Sequence, residues 1–114
     1  MNYKIAKKQF FEFLKKNYHQ RVSAAADVLF YNIEGIAEYE KKSAIKITKE
    51  EALNGAKNWL QYSEGGCALV YNDDLKKTYF LDAFDINQYL RIQADLLEKA
   101  WHEWELFKYY RNIE

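Results

Sequence analysis

From Asp85 to about residue 111, the side chains Ile86, Leu90, Gln93, Leu97, Ala100, Trp104 and Phe107 recur at steps of three and four. That spacing places them on one side of an α-helix. Asp85 with Gln88 makes a capping pair at the start of the run, and the chain contains no proline to interrupt it. A helix of this length spans roughly 40 Å at 1.5 Å per residue. It is either the spine of a bundle or an arm that meets a second copy.

Three shorter helical patterns precede it. Over residues 3–18, Ile5, Ala6, Phe10, Phe13, Leu14 and Tyr18 fall at helical spacing, with Lys7, Lys8, Lys15 and Lys16 opposite. Over residues 22–41, Val22, Ala26, Leu29, Ile33 and Ile36 make a second stripe, which Gly35 is expected to end or bend. Thr48 and Glu51 form a capping box that opens a third helix. Ala52, Leu53, Ala56, Trp59 and Leu60 line its buried face, and Gly65-Gly66 closes it. Between these helices, Ala44-Ile45-Lys46-Ile47 alternates and reads as a short edge strand. Cys67 to Tyr71 reads as another strand; residues 77–81 either return as a third or belong to a short helix that begins at Asp74. The expected fold is mainly α (α+β). It is a single domain over residues 1–114, a helical bundle around a long C-terminal helix with a small two- or three-stranded β element.

Composition narrows the function classes. With 49% apolar residues, the chain can bury a core. Its ten tyrosines exceed what a small interior satisfies, so several are expected at a recognition surface. Lys+Arg and Asp+Glu are equal at 17 each, yet residues 1–49 carry a balance of +5 and residues 50–114 one of −5. Two readings follow: solvated faces that attract each other weakly across the fold, or a dipolar surface with one end suited to nucleic acid. Zero net charge argues against a DNA mimic. Cys67 is the only cysteine, so no internal disulfide forms, and its apolar neighbours suit a small buried hydrophobe. The N-terminus leads into a lysine-rich amphipathic stretch, with no signal peptide or membrane span, and a cytoplasmic protein is expected.

No reacting constellation stands out. Ser23, Ser43 and Ser63 lack a glycine-flanked elbow, and His19 and His102 sit in no catalytic pattern. Glu98, His102 and Glu105 lie at steps of four and three, within reach of one ion, but the pattern reads as a solvated acidic stripe on a long helix. Gly65-Gly66 lacks the lysine and the glycine spacing of a phosphate loop. The expectation is a non-enzymatic protein with no cofactor and no metal. Lys4, Lys7, Lys8, Lys15, Lys16 and Arg21 form a candidate phosphate-gripping strip, with Tyr3 and Tyr18 as stacking platforms.

One segment is familiar. Residues Trp59-Leu60-Gln61-Tyr62-Ser63-Glu64-Gly65-Gly66-Cys67-Ala68-Leu69-Val70-Tyr71-Asn72-Asp73-Asp74-Leu75 resemble W-x-x-Y-S-x-G-G-C-x-L-[IV]-Y-x-x-D-[IL]. That pattern recurs in small proteins of phages and conjugative elements of Gram-positive bacteria. Tyr89-Leu90-Arg91-Ile92-Gln93-Ala94-Asp95-Leu96-Leu97 is similar to a W-L-D-V-Q-A-R-A-L run of the same proteins. The likeness covers roughly residues 56–101, and the chain departs from the pattern after Leu75. Physically the motif reads as a structural joint, with Gln93 satisfied by backbone near Gly65 or Gly66.

The resemblance implies a mobile-element protein of the bacterial cytoplasm; together with the tyrosine-rich composition and the missing active site, it points to inhibition of a host defence nuclease by stoichiometric contact. An anti-CRISPR-like inhibitor of a Cas9-type effector is the leading expectation. Tyr62, Glu64, Tyr71, Asp73 and Asp74, with Tyr109 and Tyr110 on the last helix, are the candidate partner-binding residues. The alternative is a nucleic-acid-binding accessory protein that uses the lysine strip. Trp101, Trp104, Tyr109 and Tyr110, spread around more than one face, also point to a homodimer.

Overall fold

In the computed structural model, residues 2–62 and 86–113 are described. They form four α-helices and one 3₁₀ turn: α1 (Tyr3–Asn17), α2 (Gln20–Glu40), the turn Ala44–Lys46, α3 (Lys49–Tyr62) and α4 (Ile86–Arg111). The helices match the four periodic stretches closely. The edge strand expected at Ala44–Ile47 is a correction: Lys46 N–H donates to Ser43 O, and Ile47 N–H to Ala44 O, which closes a 3₁₀ turn. Alternation over four residues cannot hold a strand where no neighbouring strand accepts its hydrogen bonds. There is no strand among the described residues. The candidate strands at 67–71 and 77–81 lie outside them, as do the capping residue Asp85, the glycine pair and the Gln93 side chain.

Local chemistry sets the helix ends. Asn2 caps α1, its side-chain oxygen accepting from Ile5 N–H at 2.9 Å. Tyr18 and His19, both extended, turn the chain directly into α2. The capping box at α3 is present in both directions. Glu51 N–H donates to Thr48 Oγ1 at 3.2 Å, and Thr48 N–H donates to Glu51 Oε1 at 3.3 Å. Gly35 does not end α2, which runs through it to Glu40, and the glycine does not take a positive φ.

Packing centres on α2, which lies against α1, α3 and α4. Val22, Ala26, Leu29 and Ile33 are buried along it, with Ala25, Phe30 and Ala37 beside them. Ala6, Phe10 and Leu14 enter from α1, and Ala52, Leu53 and Ala56 from α3. Leu97, Ala100, Trp101, Trp104 and Phe107 enter from α4. Each large side chain sealed this way contributes about 1.5–3 kcal/mol through removal of apolar surface from water. Trp101 and Trp104, expected among exposed side chains of α4, are 2% and 1% exposed. Tyr3 and Phe10 of α1 and Phe30 of α2 enclose Trp104, and the Lys108 ammonium lies over Trp101, so neither ring is open to a second copy.

Candidate protein-binding surface

Tyr31, Gly35 and Tyr39 follow one another at steps of four and so form a single row along α2. Both rings are exposed, Tyr31 at 66% and Tyr39 at 89%. Between them a Cβ added to Gly35 would meet nothing within 4 Å. The row therefore dips at its centre, and an open groove of about 510 Å³ lies between and beside the two rings. Gly35 and Ile36 make its floor, and Glu34, Glu38 and Glu40 stand along it; none of its described lining residues is a lysine or arginine.

Neighbouring helices brace this groove. The Tyr31 ring rests against Trp59 of α3, with centroids 5.9 Å apart. Lys7 of α1 holds the Glu34 carboxylate at 2.8 Å, and Lys42 holds Glu40 at 2.9 Å. Glu38 is exposed and has no ion-pair partner among the described residues. Beneath Glu34, burial and then that carboxylate push the Tyr3 phenol far above its ordinary value. The charged side chains that line the groove are thus all carboxylates, two of them held by lysines beside it, although residues 1–49 as a whole are basic.

A second tyrosine-bearing patch closes α4. Tyr109 and Tyr110, candidates from the sequence, are 76% and 72% exposed, their rings in edge contact at 5.2 Å. Beside them a groove of about 270 Å³ runs between α4 and Phe13 of α1. The Arg111 guanidinium lies over the Phe107 ring there, 3.8 Å from its centroid. Glu103 lines the same groove, but its carboxylate is occupied. It accepts from the Tyr18 hydroxyl at 2.7 Å and pairs with Lys99 at 3.2 Å. The hydrogen bond to Glu103 raises both the Tyr18 phenol and the Lys99 ammonium.

The lysine strip is divided by the fold. Lys4, Lys8, Lys15 and Lys16 are exposed on α1. Lys7 is committed to Glu34, and Arg21 Nε donates to His19 Nδ1 at 3.1 Å. Loss of solvent raises the Asp27 carboxyl of α2, and Lys15, then Lys7, pull it back. Neither expected stacking platform is free. Tyr3 packs on Phe30 and Trp104, while the Tyr18 ring lies under the Lys99 ammonium at 4.9 Å.

The Glu98, His102 and Glu105 stripe of α4 is not gathered around a common point. Glu98 pairs with Lys49 at 3.1 Å, and Glu105 accepts from Trp101 Nε1 at 3.1 Å. His102 points to solvent, and no group of three or more metal-ligating side chains forms among the described residues. His19 is the N-cap of α2. Glu64, Cys67, Tyr71, Asp73 and Asp74 lie outside the described residues, and of Tyr62 only the backbone, at the end of α3, is described. The sequence reading missed Tyr31, Tyr39 and Glu38. Their signal was a tyrosine on either side of Gly35 at steps of four, on the side of the stripe away from the core.

Class comes from this geometry: a helical bundle that presents paired tyrosines on two of its helices. Comparison adds no family to it, because no protein-family model, curated protein or solved structure matches the chain. Among the described residues, no helix is long and apolar enough to cross a membrane.

Proposed function

We propose that this protein acts by occupying the surface of another protein, as a stoichiometric inhibitor of a host defence nuclease, with a Cas9-type effector as its partner. The observation that carries the binding part is the display of four exposed tyrosines, Tyr31, Tyr39, Tyr109 and Tyr110, on well-packed helices. A tyrosine held on a helix offers a large amphipathic contact while surrendering few rotamers, and such residues anchor interfaces. The nuclease as target follows from the resemblance of residues 56–101 to mobile-element proteins. It is supported by charge: a nuclease grips phosphate with a basic channel, and the α2 groove is acidic.

The test is a titration of the full chain into a guide-loaded Cas9-type effector with its DNA target. Cleavage is expected to fall in proportion to the inhibitor and to stop near one equivalent. Unchanged cleavage at large molar excess overturns the proposal. A second reading, binding of nucleic acid, draws on the exposed Lys4, Lys8, Lys15 and Lys16. It requires salt-dependent anisotropy of a labelled DNA duplex that weakens when these four become glutamate.

A further inference from the structure

We propose that the α2 groove receives a cationic segment of the protein partner, an arginine- or lysine-bearing helix that crosses α2 over Gly35 between the Tyr31 and Tyr39 rings. This rests on the binding reading above and narrows it to one face and one chemistry.

Charge selects the occupant. Glu34, Glu38 and Glu40 stand along the groove without a lysine or arginine among its described lining residues. An acidic or phosphorylated segment would be repelled there by Glu38, which is exposed and has no ion-pair partner among the described residues. Glu34 and Glu40 are partly neutralised by Lys7 and Lys42, which leaves Glu38 as the carboxylate with charge to offer. The two rings add a second attraction for the same sign, since an ammonium or guanidinium over an aromatic face is favoured by the ring quadrupole. Elsewhere the molecule already uses that contact: Lys99 lies over Tyr18, Lys108 over Trp101 and Arg111 over Phe107.

Shape selects the same occupant. Tyr31 and Tyr39 are eight residues apart, which is about 12 Å along the helix axis. An α-helix with its side chains is about 10–12 Å across, so the two positions are spaced to flank a crossing helix. Gly35 sits halfway, and with no side chain it lets the partner backbone approach α2 closely. The Tyr31 half of the groove is also preformed, because Trp59 braces Tyr31 and Lys7 fixes Glu34. Less ordering entropy is lost there on binding. The smaller α4 groove differs on both counts, since it carries Arg111 and its one carboxylate, Glu103, is already satisfied.

The experiment uses the full chain and two labelled alanine-based helical peptides, one with arginine and one with glutamate at every fourth position. Fluorescence anisotropy is expected to detect the arginine peptide and not the glutamate one. Glu38→Gln should weaken binding roughly three- to five-fold, the scale of one exposed charge pair. Added salt should weaken the wild type more than this variant. Gly35→Leu fills the floor with a good helix former in open space, so the bundle should remain folded by circular dichroism. Binding should then fall at least about ten-fold, the scale of a lost anchor.

Equal binding of both peptides, binding of neither, or a folded Gly35→Leu variant with unchanged affinity overturns the inference. The nuclease assay separates the two proposals. If wild type inhibits, and Tyr109→Ser with Tyr110→Ser abolishes inhibition while Gly35→Leu does not, the groove assignment falls and the inhibitor reading stands. If the groove variants lose the arginine peptide but wild type leaves cleavage untouched, the groove assignment stands and the nuclease reading falls.

Discussion

Lys41 ends α2 in the left-handed region, with φ 55° and ψ 47°. Its N–H donates to Glu38 O, and Lys42 N–H donates to Ala37 O, so a Schellman motif closes the helix on a residue other than glycine. A Cβ in that conformation costs about 1 kcal/mol. Lys41→Gly is therefore expected to raise unfolding stability by about 0.5–1 kcal/mol and the midpoint by roughly 2–5 °C; thermal unfolding followed by circular dichroism checks this. The next residue sets a pH dependence. Hydrogen bonding from Lys42 first, then from the Thr48 amide, pulls the Glu51 carboxyl from 4.5 down to about 2. The charged form is favoured in the folded state, so the contribution of Glu51 is complete above pH 4.5. It is lost as pH falls towards 2. Its exposure to water keeps the effect small. Glu51→Gln should flatten the loss of stability across that window, read as urea midpoints at successive pH values.

Two glycines inside helices separate local propensity from packing. Glycine in a helix interior costs about 0.5–1 kcal/mol relative to alanine. At Gly35 a Cβ meets nothing within 4 Å, so Gly35→Ala should recover that amount in full. At Gly55 of α3 the same Cβ would lie 3.3 Å from Ile36 Cδ1 and 3.4 Å from Asn32 Oδ1. Ile36 can yield at its flexible end, but the crowding offsets much of the gain, and Gly55→Ala should be close to neutral. Urea unfolding of the two variants side by side checks the difference. Between elements, Lys108 joins α4 to the 3₁₀ turn, its ammonium over Trp101 at 5.1 Å and 3.5 Å from the Ile45 carbonyl. Burial pushes that ammonium down, against the pull of Glu105. It explains why an alternating tetrapeptide is held as a turn: its backbone is bonded within itself and to α4.

At the scale of the whole molecule, an aromatic cluster unites three helices. Phe10 of α1, Phe30 of α2 and Trp104 and Phe107 of α4 sit with centroids 4.8–6.1 Å apart in the contacts that link them. Trp104 touches all the others and is 1% exposed. Trp104→Ala should cost about 3–5 kcal/mol, because the surrounding rings cannot collapse into the space; loss of the cooperative urea transition at low denaturant checks it. The opposed charge of the two halves is drawn together across the fold by Lys42–Glu51 and Lys49–Glu98. That matches the weak mutual attraction read from composition, while the acidic α2 groove lies within the basic half. The helices were legible because period and caps are local: Phe10, Leu29, Ala52 and Leu97 declare their faces within one turn or two. The Thr48–Glu51 box names its own partner three residues away. Exposure was legible only at places such as Tyr109 and Tyr110, because it depends on which helix arrives from elsewhere in the chain. α1 and α2 bury Trp104, α2 engages Lys7, α4 engages Tyr18, and Gly35 is left open to solvent between two tyrosines. Local spacing thus determined what is helical, and long-range packing decided which surface is left to bind.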